Sequence, residues 1–400
     1  MTAHQGALSG LRVVDISRVL GGPYCAQILA DHGAEVIKVE PPQGDDTREW
    51  GPPFQEGLSS YFAGLNRNKR SIALDLGSEL GREVLHRLLE GADVLVENFK
   101  TGTMERWGIG YEALSKRYPK LIHCRITGFG ADGPFGGFPG YDAVAQALSG
   151  LMSINGTPQS GPVRVGIPIV DLCAGMNGAI GVLMALQERA RSGKGQFLEV
   201  SLYDTGVALL HPHAQNYFMS GKTPAPTGDA HPNLTPYDQY KTKTRNVFIG
   251  AGNDRQFRIL CAAIGKAELA EDARFRTNSE RLKNRQELDD ILRSAMLEAD
   301  AEDLCKRLLE AGVPAGAVQR MPEVVAHPHT VHREMVVEKD GFRFTGIPVK
   351  MARTPGAVRS APPQFAGQGR EILEEAGYDD KAIEELVSAK AVIFERTKLR

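Results

Sequence analysis

The first half of the chain alternates short apolar runs with helical stretches, and this alternation limits the possible folds more than any other feature. Strands are predicted at Leu11–Ile16, Glu35–Glu40, Asp93–Glu97, Leu121–Ile126 and Phe197–Ser201, and helices at Pro23–His32, Glu79–Glu90, Asp142–Met152 and Leu172–Arg191. Such alternation favours parallel βαβ units. Apolar runs such as VVDI and VLV suit a sheet covered on both faces. The pattern therefore predicts an α/β fold with a Rossmann-like open parallel sheet.

The second half begins with a break in this pattern. Residues 221–236 are rich in Gly and Pro, which predicts a linker or an ordered loop. After it, a strand is predicted at Asn246–Ala251 and helices at Gln256–Ile264, Ser279–Ala299 and Ala301–Ala311. These elements predict a smaller α/β domain at about 223–326. From His327 onward the chain is again rich in Pro and Gly, and it ends in a helical region.

Composition and charge exclude several classes of function. A chain of 400 residues is long enough for two domains, and a net charge of −2 provides no basic surface for nucleic acid. No apolar run approaches the roughly 20 residues that span a membrane, and the first residues lack an export signal. The five cysteines are dispersed, as is typical of reduced thiols. We therefore expect a cytoplasmic protein.

Asp171 stands at the junction between an apolar run, 165–170, and the predicted helix Leu172–Arg191. A carboxylate there lies at or near the N-cap, where the free N–H groups of the helix favour its ionised form. An ionised carboxylate needs no separate base to attack a thioester or an anhydride. Asp is also a preferred capping residue, so position alone leaves two interpretations open, a helix cap and a nucleophile.

Several motifs occur in a fixed order along the chain. They are LSGLRVVDISRVLGGPYCAQILADHGAEVIKVEPPQGDDTREWGPPF, NRNKRSIALDL, ADVLVENFKTGTMERWGIGYEAL, LIHCRITGFGADGPFGGFPGYD and the run around Asp171. Together they resemble the family III CoA-transferases (CaiB/BaiF family), a group that also contains alpha-methylacyl-CoA racemases. Within this group the likeness is closest to enzymes that move CoA from succinyl-CoA to small dicarboxylic acids, such as succinate–hydroxymethylglutarate (glutarate) CoA-transferases.

The resemblance implies a fold, an assembly and a reaction. The fold is a large CoA-binding domain made of 1–222 and 327–400 with a small domain at 223–326, in an interlocked homodimer. The reaction is CoA transfer through an anhydride and a CoA thioester on Asp171, with CoA as a substrate and no tightly bound cofactor. The alternatives are an alpha-methylacyl-CoA racemase or epimerase and a CoA-binding protein without catalysis, which would not need Asp171.

The resemblance also indicates residues that contact CoA. The first βα turn, DISRVLGGPYCAQ, departs from G-x-G-x-x-G, so a dinucleotide site is poorly supported. The candidates are Arg18 and Val19 in this turn, Lys69 and Arg70 in a predicted polar turn, Asn98, Phe99, Lys100, Met104 and Arg106 past the end of a strand, and Tyr141. Lys and Arg suit phosphates, although each basic cluster alone is equally typical of a solvated turn. Relatives often carry Arg directly after the second strand, where this chain has Pro41, so Lys38 is a substitute candidate.

Tyr141 distinguishes the two branches of the family. The racemase branch carries a His before the Asp at this position, and that His is a base at the acyl α-carbon. A phenol with a pKa near 10 is a poor base at neutral pH, but it can donate a hydrogen bond to a carbonyl or carboxylate. Tyr141 therefore favours transfer over racemisation, with a packed tyrosine as the alternative interpretation.

Two further segments bear on the site. Several transferases close a loop of four consecutive glycines over the catalytic aspartate, whereas the corresponding segment here, TGDAHPNLTPYDQYKTK, contains only Gly228. His231 and Asn233 in that segment are candidates to meet the acceptor's distal carboxylate. The remaining histidine clusters, at 211–213 and 327–332, lack a known ligand spacing, so no metal site is predicted.

Overall fold

The computed structural model describes residues 6–396 and contains a six-stranded parallel sheet. The strands in chain order are β1 Arg12–Asp15, β2 Glu35–Glu40, β3 Phe54–Gln55, β4 Leu58–Ser59, β5 Lys69–Ala73, β6 Val94–Glu97, β7 Ile122–Thr127, β8 Gly156–Thr157, β9 Gly161–Pro162, β10 Phe197–Ser201, β11 Tyr237–Lys241, β12 Asn246–Gly250, β13 Ala315–Ala317, β14 Val336–Lys339 and β15 Phe342–Thr345. The sheet has the order β10-β7-β6-β1-β2-β5. The predicted α/β fold with an open parallel sheet is confirmed.

Helices connect and cover these strands. In chain order they are α1 Gly21–Asp31, α2 Ser60–Ala63, α3 Glu79–Leu89, α4 Thr103–Arg106, α5 Tyr111–Arg117, α6 Asp142–Leu148, α7 Leu151–Ile154, α8 Ile169–Ser192, α9 Leu202–Ala208, α10 His213–Ser220, α11 Asp254–Ala263, α12 Asn278–Lys283, α13 Arg285–Met296, α14 Ala301–Glu310, α15 Met321–Ala326, α16 Pro328–His332, α17 Gly369–Glu375 and α18 Asp380–Ser388. Short 3-10 helices lie at Asp46–Glu49 and Ala267–Ala270.

The two faces of the sheet differ because side chains alternate along each strand. One face presents Val14, Ile37 and Ile72 to a core that includes residues of α3, α17 and α18. The other face is covered by α1 and α8, and it carries Lys38 and Lys69. Both lysines are fully buried and each forms an ion pair with an aspartate. These lysines therefore lie under α1, which packs in turn against α8, the helix that carries Asp171.

The ends of several elements differ from the prediction. The strands Glu35–Glu40 and Phe197–Ser201 have the predicted ends, whereas the helix predicted at 142–152 ends at Leu148. The polar turn predicted for Lys69 and Arg70 is wrong, because both residues belong to β5 and open it at its amino end. They therefore lie away from the carboxyl edge of the sheet, where ligands of open α/β folds bind.

The longest helix in the described part of the chain, α8, has 24 residues. Its length and composition would suffice to cross a membrane, with a mean hydropathy of 1.8 over 18 residues. The prediction that no run approaches this length was wrong, because only Asp171 is charged before Glu188. Core helices of globular proteins meet the same criterion, and α8 packs against α1 and β7.

The chain forms two compact units. The first contains residues up to Gly150, Val165–Leu209 and residues from Pro328 onward, and the second contains Leu151–Arg164 and Leu210–His327. The second unit has the three-stranded sheet β11-β12-β13 and a core of its own. The domains predicted at 1–222 with 327–400 and at 223–326 stay a prediction, and residues 1–5 and 397–400 lie outside the described residues.

Candidate active site

Asp171 lies in the first turn of α8, as its third residue and not at its N-cap. Pro168 occupies the N-cap and supplies no side-chain hydrogen bond. Asp142 supplies the cap instead, since its Oδ2 accepts hydrogen bonds from the backbone N–H groups of Val170 at 2.8 Å and Asp171 at 3.2 Å. The predicted capping role of Asp171 is therefore wrong, and its carboxylate is left available for other chemistry.

Asp142 is held by the helix that it opens. Gln146, one turn later in α6, donates from Nε2 to the other oxygen of Asp142 at 2.6 Å. The side-chain oxygen of Gln146 accepts from the backbone N–H of Val165 at 2.9 Å. Asp142 and Gln146 are both buried, so each polar atom is engaged, as burial requires. This pair anchors the segment leading into α8 and sets the orientation of Asp171.

The protonation of Asp171 differs from the expectation for a helix terminus. Burial raises the pKa of its carboxyl group from 3.8 to about 7, and the neighbouring charge of Asp142 adds to the rise. The loss of hydration and the like charge outweigh the helix N–H groups that were expected to favour the ionised form. Near neutral pH the protonated and ionised forms are therefore both present.

Asp171 faces a cavity of about 190 Å³ at the carboxyl edge of the sheet. Its walls come from the segments after β1, β6, β7 and β10. The predicted site residues among its lining are Arg18, Val19, Asn98, Phe99, Lys100, Tyr141 and Asp171. The structure thus brings seven residues from four distant segments into one pocket. Their contacts with CoA stay a prediction.

Two backbone segments of this pocket are tied together. The backbone N–H of Arg18 donates to Oδ1 of Asn98 at 2.9 Å, and Nδ2 of Asn98 donates to the Arg18 carbonyl at 2.6 Å. The side chain of Arg18 is half exposed and pairs with Asp46 at 3.2 Å. Asn98 is therefore a link between the loops after β1 and β6, and Arg18 directs its guanidinium to solvent.

Four predicted CoA contacts lie elsewhere. Lys69 is fully buried, where Nζ donates to Asp15 at 2.9 Å and to the Pro23 carbonyl at 2.7 Å, and burial lowers its pKa to about 8. Arg70 is bound by Glu35, Glu371 and Glu375. Met104 is buried in the core, and Arg106, which is exposed and bonded to Thr103, is outside the pocket lining.

Lys38, the substitute for the missing Arg after β2, is also unavailable to phosphate. Its side chain is fully buried and Nζ lies 2.9 Å from Oδ2 of Asp45. The predictions for Lys38 and Lys69 fail for one physical reason. Their strands place the side chains on the sheet face covered by α1, so each ammonium group needs a buried carboxylate and cannot reach solvent.

A second cavity, of about 290 Å³, lies beyond the ends of β2 and β5. Its apolar walls include Pro41, Pro42, Leu74 and Trp107. It shares Arg18 and Phe99 with the first cavity. The residue that departs from the family pattern, Pro41, therefore contributes to an apolar surface at the place where relatives often have a cation.

A family model described as CoA-transferase family III matches residues 8–369. The chain belongs to CoA-transferase family III. Curated relatives include a succinate–glutarate CoA-transferase of Agrobacterium fabrum, 39% identical over 92% of this chain and 95% of the relative. A mouse succinyl-CoA:glutarate CoA-transferase is 38% identical over 98% and 91%, and a Haloarcula marismortui succinyl-CoA:mesaconate CoA-transferase is 39% identical over 94% and 97%.

Solved structures place this family III CoA-transferase on the same fold. A CAIB/BAIF family protein from Brucella suis has a TM-score of 0.84 and 40% identity, covering 93% of this chain and all of the other. A protein from M. tuberculosis has a TM-score of 0.83 and 31% identity, with coverage of 92% and 99%. The architecture therefore extends over nearly the whole length of each protein.

Sequence reasoning missed Tyr61, a residue of the short helix α2 in this CoA-transferase. Burial raises the pKa of its phenol to about 12, and the charges of Asp171 and Asp142 add to the rise. Its ring packs edge-on against Trp50, with centroids 5.0 Å apart. The phenol of Tyr61 therefore stays protonated and lies within electrostatic reach of the two carboxylates. No spacing signal identifies it, because its neighbours form an ordinary apolar helix.

His231 and Asn233 are engaged with residues of the second unit. The backbone N–H of Asn233 donates to Nδ1 of His231 at 3.0 Å, and Asn233 exchanges side-chain amide hydrogen bonds with Asn216. Their contact with an acceptor stays a prediction. Within residues 6–396 no group of three or more His, Cys, Asp or Glu side chains could hold a metal ion.

Proposed function

We propose that this family III CoA-transferase moves CoA from succinyl-CoA to a small dicarboxylic acid. The relatives described above are named for succinyl-CoA or succinate together with glutarate or mesaconate, which are both dicarboxylic acids. The observation that carries the proposal is the Asp171 carboxylate, which faces a pocket at the ligand-binding edge of the sheet without being used as a helix cap.

The reaction would proceed in four exchanges, and Asp171 would act as the nucleophile in the first. Its ionised carboxylate attacks the thioester carbonyl of the donor, expelling CoA thiolate and forming a mixed anhydride. The thiolate attacks the aspartyl carbonyl of the anhydride, which releases the donor acid and leaves an aspartyl–CoA thioester. The acceptor carboxylate attacks that thioester, expelling CoA thiolate and forming a second anhydride. The thiolate then attacks the acceptor carbonyl of this anhydride, which releases the new acyl-CoA and the Asp171 carboxylate. Each step exchanges one activated acyl bond for another, so no external energy source is needed.

The protein must stabilise oxyanions and exclude water during these steps. Tyr61 can donate a hydrogen bond near Asp171, since its phenol stays protonated at neutral pH. The CoA arm would enter over the shared wall formed by Arg18 and Phe99, with the thioester in the smaller cavity and the adenine against Pro41, Pro42 and Trp107. Arg18 and Lys100 supply exposed cations for the phosphates.

A chemical trap tests the nucleophile directly. Purified protein incubated with succinyl-CoA and then hydroxylamine should carry a hydroxamate on Asp171, seen as a mass change of the peptide that contains it. The Asp171→Ala variant is the matched control and should remain unlabelled. Mass spectrometry of CoA products with succinate, glutarate, mesaconate and a monocarboxylic acid as acceptors then identifies the acceptor class. Absence of both adduct and transfer would overturn the proposal.

The near-neutral pKa of Asp171 would also suit proton transfer, so the racemase alternative needs its own measurement. A racemase breaks the α C–H bond and exchanges that proton with solvent, whereas transfer involves only carboxyl and thioester carbons. A 2-methylacyl-CoA incubated in D2O should therefore keep its α-hydrogen. Rapid deuterium incorporation without an Asp171 adduct would favour racemisation.

We also propose that the active protein is an interlocked homodimer. Helix α8 leaves one apolar face uncovered, with Met176, Ile180, Leu183 and Met184 all exposed at helical spacing. Val144, Leu148 and Val207 of neighbouring helices extend this patch. A contiguous apolar patch of this kind indicates an interface, and a second copy of the chain supplies an identical one. We further propose a cytoplasmic location, since all five cysteines are free thiols. We also propose that CoA is a substrate and that the transfer needs no tightly bound cofactor, since each step exchanges one activated acyl bond for another.

A further inference from the structure

Val19 adopts an unusual backbone conformation in the wall of the active-site pocket. Its φ is 69°, in the left-handed region that favours glycine. For a β-branched residue this conformation is a genuine outlier, and it persists only where the surroundings impose it. Val19 belongs to the loop Ser17–Gly21, which connects β1 to α1 and lines the cavity that Asp171 faces.

A buried ion pair holds this loop by its backbone. The N–H of Val19 donates to both carboxylate oxygens of Asp45, each at 3.3 Å. Lys38 lies 2.9 Å from Asp45 and donates from Nζ to the Ser17 carbonyl at 3.0 Å. The Lys38 and Asp45 side chains are both fully buried. One ion pair therefore fixes the loop at two points, two residues apart, on either side of Arg18.

The loop also lies close to Asp171. Gly21, the last residue of this loop and the first of α1, lies so near α8 that an added Cβ would be 3.4 Å from Oδ1 of Asp171. From the opposite side, an added Cβ on Gly175 would be 2.7 Å from the Gly21 carbonyl oxygen. A shift of the loop by a fraction of an ångström would therefore change the space around the Asp171 carboxylate, and reaction rates depend strongly on such displacements.

We infer that Asp45 and Lys38 are positioning residues that hold Val19 in its strained conformation and thereby set the Ser17–Gly21 loop against Asp171. A buried ion pair often stabilises a fold less than well-packed apolar residues of similar volume would. The role of this pair is therefore to hold the loop in one conformation. The inference rests on the proposed function for its kinetic consequence. Its structural consequence, the order of the loop, is independent of the reaction.

The test compares Asp45→Asn, Val19→Gly and the double variant. Asp45→Asn should lower kcat/KM for CoA transfer at least tenfold, mainly through kcat. It should also speed amide exchange of the peptide containing residues 17–21 at least tenfold. Glycine accepts a φ of 69° without strain, so in the Val19→Gly background the loss caused by Asp45→Asn should shrink to less than threefold. Asp31→Asn is the control, because Asp31 forms an equally buried ion pair with Arg67, away from the pocket. It should change neither readout in folded protein.

The other possible results also either support or overturn the inference. If Asp45→Asn does not fold, recovery of folded, active enzyme by adding Val19→Gly supports the inference, and failure to recover overturns it. Loss of activity equal in both backgrounds, or loop exchange no faster than in Asp31→Asn, would show that Asp45 contributes only to general stability. Wild-type protein without transfer activity would overturn the proposed function, while the exchange experiment would still test the loop.

Discussion

Replacing Asp142 by asparagine tests how the site controls the protonation of Asp171, the proposed nucleophile. The pKa of Asp171 is raised from 3.8 to about 7, by burial first and by the charge of Asp142 second. A rise of about three pKa units corresponds to about 4 kcal/mol. Burial contributes the larger part of this rise and the charge of Asp142 the smaller part. The Asp142→Asn variant should therefore lower the pKa of Asp171 while leaving it above its usual value.

The sign of the effect follows from the reaction. In the proposed reaction only ionised Asp171 attacks the thioester, so kcat/KM should rise with pH and level off above the pKa of the free enzyme. At pH 6, about a tenth of wild-type Asp171 would be ionised, so the lower pKa in the variant should raise activity relative to its plateau by up to about tenfold. Asparagine keeps an acceptor oxygen for the N–H groups of Val170 and Asp171, so the cap of α8 is retained.

The assay is CoA-product formation at limiting acyl-CoA from pH 5 to pH 9 at constant ionic strength. Asp46→Asn is the charge-matched control, because Asp46 lines the same cavity but is not among the causes of the Asp171 shift. The pH profile of Asp46→Asn should keep its acid-side midpoint at about pH 7, even if its plateau value of kcat/KM changes. An Asp142→Asn profile that coincides with the wild type, or that moves to higher pH, would refute the electrostatic reasoning.

Four further substitutions have defined outcomes. The wild type should lose stability as pH rises from 3.8 to about 7, because its folded state holds the Asp171 proton more tightly than its unfolded state does. The gain in the free energy of unfolding caused by Asp171→Asn should therefore be about 3 kcal/mol larger at pH 8 than at pH 5, as measured by denaturant titration. Lys69→Met should lower stability by about 3–5 kcal/mol by leaving Asp15 buried without its partner, whereas Lys100→Ala should raise KM for acyl-CoA without lowering Tm. Ile180→Glu on α8 should yield monomers in light scattering, and dimers identical to wild type would contradict the proposed interface.

The architecture could be predicted from local pattern, because each strand and helix of the large sheet carries its own periodicity. Glu35–Glu40 illustrates this, since its length and composition suffice to define a strand. Asp171 was proposed as the nucleophile through a resemblance that extends over linked motifs. That Asp142 caps α8 and helps to raise the pKa of Asp171 was not predictable, because Asp142 lies 29 residues earlier and meets Asp171 only in the folded chain.

The basic residues show why the rest of the site could not be predicted. A local run such as NRNKRS is equally polar whether its lysine faces water or a buried carboxylate. The partner of Lys69 is Asp15, 54 residues away, so only the strand order brings the two together. The same holds for Lys38 and Asp45, whose pairing depends on the turn after β2. Sequence reasoning assigned these cations to the ligand because it could not see the carboxylates that they neutralise.

The buried charges of the sheet follow from the position of the site. Loops that line a pocket at the carboxyl edge must hold defined backbone positions, and apolar side chains cannot bind backbone N–H and C=O groups. Lys38 binds the Ser17 carbonyl, Asp45 binds the Val19 N–H, and Lys69 binds the Pro23 carbonyl at the start of α1. Each charge anchors the segment that passes between β1 and the helix packed against α8. Burying these ion pairs costs free energy. The result is a pocket whose walls are fixed before any ligand binds.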